Sequence, residues 1–131
     1  MIEQIKIFET NTIAVEFDES ITDTDVKLWQ KFFEQKLDEG FHTVNVLLKI
    51  KDMSILTHTS LKALADEVIW GFRYVSKFGR VAVVAESETL KKVASLKVDI
   101  LHLANKNIEE KNFKPEELDE AFYWVNGDSS Q

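Results

Sequence analysis

The residues best suited to chemistry gather at Thr57-His58-Thr59-Ser60-Leu61, where three hydroxyls and an imidazole stand at the expected start of a helix. Free amides at a helix N-terminus attract anions. His58, Thr59 and Ser60 are therefore candidates for binding a phosphate or carboxylate, and Ser60 or Thr59 for being phosphorylated. The plainer alternative is that Thr57 or Thr59 only caps the helix, a role in which Thr is ordinary. The segment follows the apolar run Val44 to Ile50. In open α/β sheets ligands and partners meet the loops beyond the carboxyl ends of the strands, and this loop, from Lys51 to His58, is the longest of that kind.

Other chemistry is excluded residue by residue. His42, His58 and His102 fall on an expected turn, loop and helix with no second His at a ligand spacing, and no metal site is expected because zinc and iron need three or four convergent ligands. The chain has no Cys, which removes thiol nucleophiles, zinc thiolates, iron–sulfur clusters and disulfides together. The four glycines, Gly40, Gly71, Gly79 and Gly127, build no phosphate loop, and no nucleophile elbow is present. Glu109-Glu110 and Glu116-Glu117 are adjacent carboxylates, but sequence neighbours on a strand or helix point apart. No catalytic residue, cofactor or metal is expected.

A second candidate is a surface. Turning about 100° per residue from Leu61, Trp70 falls at about 180° and Tyr74 at about 220°, away from the stripe of Leu64, Ala65 and Val68. With Lys77 at its edge this strip is a candidate interface or ligand surface, since Trp and Tyr are enriched where proteins meet. Three readings compete: a homodimer contact, a membrane or apolar-ligand surface gated by this helix, and a strip covered by another element of the same chain.

The elements that must position these residues are legible in the periodicity. Gln4 to Glu9 and Ile13 to Phe17 flank Thr10-Asn11, which predicts a hairpin with a two-residue turn. From Thr22 the spacing of Val26, Trp29, Phe33 and Leu37, with Phe32 beside them, predicts a helix stopped by Gly40. Val44 to Ile50 and Arg80 to Ala85 read as strands buried on both faces. Thr59 to Gly79 reads as the second helix, with Leu61, Leu64, Ala65, Val68, Phe72 and Val75 inward and Gly79 as its stop. Ser87 to about His102 is the third. Ile108 to Phe113 suits a sheet edge, and Pro115 opens a final helix with Leu118, Ala121, Phe122 and Val125 inward. Strands alternating with helices after the hairpin demand a mostly parallel sheet with the first strand antiparallel at its edge.

Length and composition set the frame. The 131 residues suffice for one domain, expected over 1–127 with a frayed tail at 128–131, and 44% apolar residues, nine Phe and three Trp supply a core. The net charge of -7 argues against a nucleic-acid partner. Residues 1–41 carry 4 basic and 10 acidic groups, 42–108 carry 10 and 6, and 109–131 carry 2 and 7. The mildly basic middle, at +4, holds both candidate regions, so an acidic partner or an anionic membrane stays compatible with it. No signal-peptide pattern follows Met1, and no run of about eighteen apolar residues occurs. A cytoplasmic location is expected, with peripheral membrane association under the second reading of the strip.

Lys77-Phe78-Gly79-Arg80-Val81-Ala82-Val83-Val84 at a helix-to-strand junction, and the closing run Phe113-Lys114-Pro115-Glu116-Glu117-Leu118-Asp119-Glu120-Ala121-Phe122-Tyr123-Trp124-Val125, carry a resemblance. Together with the order of elements they resemble the SpoIIAA-like group of STAS/SEC14-like proteins over essentially the whole chain. The resemblance implies an α/β (βα) superhelix: a five-stranded, mostly parallel sheet with an antiparallel first strand and four main helices, in a small non-enzymatic domain. In the anti-sigma-factor antagonists to which this group is more distantly similar, a phosphorylatable serine in a D-S-S-G-like motif starts the second helix. His58-Thr59-Ser60-Leu61 stands at the matching place, without the preceding acid and the following glycine. The SEC14-like side implies instead an apolar pocket or a membrane-surface role for the second helix. The expected function is thus a non-catalytic STAS-like binding module for a protein partner or a second copy. The alternative is a peripheral membrane or apolar-ligand binding protein.

Overall fold

The computed structural model describes residues 2–17, 22–50, 70–71, 73–86 and 103–127. Five strands form one sheet in sequence order: β1 (Ile2–Ile7), β2 (Thr12–Phe17), β3 (Val44–Ile50), β4 (Phe78–Ala85) and β5 (Glu109–Phe113). β1 is antiparallel to β2, and β2 to β5 are mutually parallel. The expected sheet, with its antiparallel first strand and its polar fifth strand at the edge, is the one observed. The hairpin differs in detail. β1 ends at Ile7, and Phe8 to Asn11 make a longer connection than Thr10-Asn11 alone.

Helix α1 (Asp23–Asp38) begins where the sequence places a cap. The Asp25 amide donates to Thr22 Oγ1 at 3.2 Å and the Thr22 amide to Asp25 Oδ2 at 3.0 Å, a reciprocal box that satisfies two otherwise orphan donors. Thr22→Ala is therefore expected to cost about 1 kcal/mol in chemical denaturation. A loss below a few tenths would show that the box contributes little. Gly40 follows the helix with φ 103°, the left-handed conformation glycine adopts without strain. The Lys36 ammonium donates to the Phe8 carbonyl at 2.7 Å and ties the last turn of α1 to the hairpin.

The sheet buries both faces. On one, Ile13, Val15, Phe17, Val44, Val46, Val81 and Val83 pack beneath Val26, Trp29 and Phe33 of α1. On the other, Ala14, Leu47, Ala82 and Val84 receive Ala121 and Val125 of α2 (Leu118–Gly127). Small side chains at Ala14, Ala82 and Ala121 bring this helix close to the strands. A 3-10 turn, Pro115–Glu117, precedes α2, and Glu117 accepts the Lys114 amide at 2.8 Å.

Of the four helices expected, α1 and α2 are described in full. The second and third fall largely on residues outside the described set. What is described of the second corrects its end. Trp70, Gly71 and Arg73 are helical, Val75–Lys77 is a 3-10 turn, and β4 already starts at Phe78. Gly79 is thus not a helix stop but a strand residue. Val44 pairs with Phe78 and Val46 with Val81, so Asn45 alone faces both Gly79 and Arg80, a bulge in β4.

Candidate functional site

His58, Thr59 and Ser60 lie outside the described residues. Trp70, Tyr74 and Lys77 are described, at the amino-terminal end of β4. The expectation that Trp70 and Tyr74 face away from the core does not hold. Trp70 is only 6% exposed and Tyr74 is half-buried, packed on the same cluster; Lys77 alone of the three is exposed.

The reason is what stands opposite. Trp29 and Phe33, one turn apart on α1, present two rings to Trp70, each with its centroid 4.9 Å away at steep interplanar angles of 68° and 83°. Phe78 closes the box from β4, 4.7 Å from Phe33, and Tyr74 lies 4.9 Å from Trp70. These are favoured edge-to-face and tilted arrangements. A buried indole needs an acceptor for its N–H, and Glu34, next to Phe33, supplies it: Trp70 Nε1 donates to Glu34 Oε1 at 3.1 Å. Of the readings weighed for the strip, cover by another element of the same chain describes Trp70.

Glu34 also accepts from the Tyr74 hydroxyl. Burial first, then this hydrogen bond and the negative charges of Glu34 and Asp38, push the Tyr74 phenol above its usual value, with Arg73 opposing. The unfolded chain releases that proton near pH ~10 while the folded chain holds it. Its contribution to stability is therefore whole below about pH 10 and lost as pH rises through the raised folded value. Tyr74→Phe should flatten the alkaline fall in unfolding free energy between about pH 9 and 11 relative to wild type. Parallel profiles would show that Tyr74 is not responsible.

The opposite, carboxyl-terminal end of the strands carries a pair that the sequence reading did not single out. Glu16 and Lys49 are register partners on β2 and β3, on the face that α2 packs against, and Lys49 Nζ lies 2.7 Å from Glu16 Oε2. The signal available was a charge of each sign set into otherwise apolar strands. Glu34 was not singled out either. Among the described residues no group of three His, Asp or Glu side chains is placed to hold a metal, and no helix is long and apolar enough to cross a membrane.

A mixed five-stranded sheet with its first strand antiparallel and helices on both faces defines a domain of the α/β class. The sequence model of the SpoIIAA-like family matches residues 12–126, and the chain belongs to that family. A solved structure similar in fold is that of an uncharacterized protein of the DUF3478 family, with a SpoIIAA-like fold, from Shewanella loihica PV-4. It aligns with a TM-score of 0.64 at 21% identity, covering 95% of this chain and 92% of that one. Comparison with curated proteins gives no match.

Proposed function

We propose that this protein is a non-catalytic STAS-type binding module, acting through the segment 51–77 on an acidic surface of a partner protein or of a second copy. The observation that carries the reading is membership of the SpoIIAA-like family across nearly the whole domain. Local support comes from Arg73, Ser76 and Lys77, which are exposed around the half-buried Tyr74. The segment 42–108 is net basic in an otherwise acidic chain, which suits an acidic partner. With Trp70 in the core, the basic rim rather than the indole is the part left to make contacts. Phosphorylation of Ser60 or Thr59 would alter the same region by adding negative charge.

A photo-crosslinking residue at Lys77, with an equivalent at exposed Glu3 on β1 as control, tests the reading in the native cell. A discrete protein adduct from position 77 alone, abolished by Arg73→Glu, is the expected result. Equal adducts from both positions would sink it. Flotation with anionic liposomes together with a stoichiometric co-purified acyl ligand would instead establish the lipid-binding alternative.

A further inference from the structure

The last turn of α2 is clasped to the sheet by side chains, and it carries Asn126-Gly127, the one Asn-Gly pair in the chain. Thr10, just before β2, and Thr12, its first residue, both donate their hydroxyls to Asn126 Oδ1, Thr12 at 2.9 Å. Arg80 Nη1 donates to the Trp124 carbonyl at 2.7 Å, where helix carbonyls run short of internal donors, and its guanidinium lies over the Trp124 ring at 5.1 Å.

An asparagine followed by glycine is open to a reaction within its own backbone. The Gly127 nitrogen attacks the Asn126 side-chain carbonyl carbon, a C–N bond forms, and the side-chain amino group leaves with the Gly127 proton as ammonia, closing a five-membered imide. Water then opens the ring at either carbonyl to give aspartate or isoaspartate, with no redox step. Glycine permits the attack because no Cβ crowds the nitrogen. The wound helix opposes it. There the Gly127 N–H points to the carbonyl four residues back, and the bonds from Thr10 and Thr12 hold the Asn126 carboxamide turned toward β2. Packing does not demand this glycine: a methyl on it would stand 3.9 Å from Arg80 Nη1, an ordinary contact.

We propose that Asn126 is a site of spontaneous deamidation gated by opening of the last turn of α2, with Thr10, Thr12 and Arg80 setting how often that turn opens. Helix ends open at far lower cost than the whole fold, so the reaction proceeds within a folded domain. Its product is a carboxylate at the carboxyl end of a helix, where the dipole disfavours negative charge. Isoaspartate, with one more main-chain carbon, also carries that carboxylate away from the two hydroxyls. The clasp therefore weakens as the molecule ages.

The full chain kept in mildly alkaline buffer, with the Asn126 peptide followed by mass spectrometry, tests the proposal. Folded wild type is expected to convert more slowly than the same protein in urea. Folded Thr12→Val should convert about fivefold faster than folded wild type, the rate equivalent of one lost hydrogen bond. Adding Gly127→Ala should remove that acceleration. Thr22→Ala, which loosens the fold at α1 and leaves the clasp intact, should convert at the wild-type rate. No conversion at Asn126 in urea, equal rates for folded and unfolded wild type, or a Thr12→Val rate at or below wild type would each overturn the proposal. So would an acceleration that survives Gly127→Ala or that Thr22→Ala reproduces. If Thr12→Val does not fold, Thr10→Val, at a half-buried position outside the strand, takes its place.

Discussion

Phe33→Ala is expected to lower the free energy of unfolding by about 3–5 kcal/mol, the range for removing a large aromatic side chain from a packed core. Phe33 is fully buried and touches the rings of Trp29, Trp70, Tyr74 and Phe78. Truncation takes away the centre of that cluster, and the four remaining rings are held by three separate elements, so they cannot close the gap together. Against a typical domain stability of about 5–15 kcal/mol the loss is large enough to bring the protein close to unfolding. Urea denaturation followed by tryptophan fluorescence reads it, since two of the three Trp residues, Trp29 and Trp70, sit in the cluster. Tyr123→Ala, at a residue 82% exposed, is the control and should stay within about 0.5 kcal/mol of wild type. A Phe33→Ala loss below about 1 kcal/mol would show that the cluster is not packed as described.

Gly79→Ala should destabilise by about 1–3 kcal/mol although it adds a single methyl group. A Cβ at this position would overlap the Asn45 amide oxygen, the same atom that accepts the Arg80 amide. The asparagine must move or the strands must part, and either loosens the bond that replaces a regular ladder contact at the bulge. Asn45→Ala alone removes that acceptor and leaves the Arg80 amide without it, at a cost of about 1–3 kcal/mol. In the double variant the new methyl meets no amide, so the two losses should sum to more than the double variant shows. Strict additivity in this cycle would mean that Gly79 is required for another reason.

Most of the scaffold could be read from spacing. Ile13, Val15 and Phe17 alternate because one face of β2 meets the α1 side of the core. Val26, Trp29 and Phe33 recur at helical intervals because α1 lies on the sheet along one stripe. Both patterns are local consequences of burying one face, so they survive without knowledge of the neighbours. Gly79 was misread because Lys77-Phe78-Gly79-Arg80 has the local signature of a helix end. What gives the glycine its place is Asn45, on the adjacent strand and far away in sequence. Trp70 was misread because a helical wheel measures angle around an axis and not what stands beyond it. The helix also gives way to a 3-10 turn by Val75, so its phase does not extend evenly to the strand.

Residue types and spacing alone gave the class of fold, a mostly parallel sheet with its first strand antiparallel, and a chain without thiols. They also carried the family resemblance that the match over residues 12–126 bears out. Those are properties of residue type and short-range period. Tertiary structure alone decided that Trp70 lies inside with Glu34 as its acceptor, that Glu16 finds Lys49, and that Asn45 takes the Arg80 amide at the bulge. Each of these depends on partners set by strand register and helix packing. Periodicity records which side of an element is apolar, and only the assembled sheet fixes which group stands across from it.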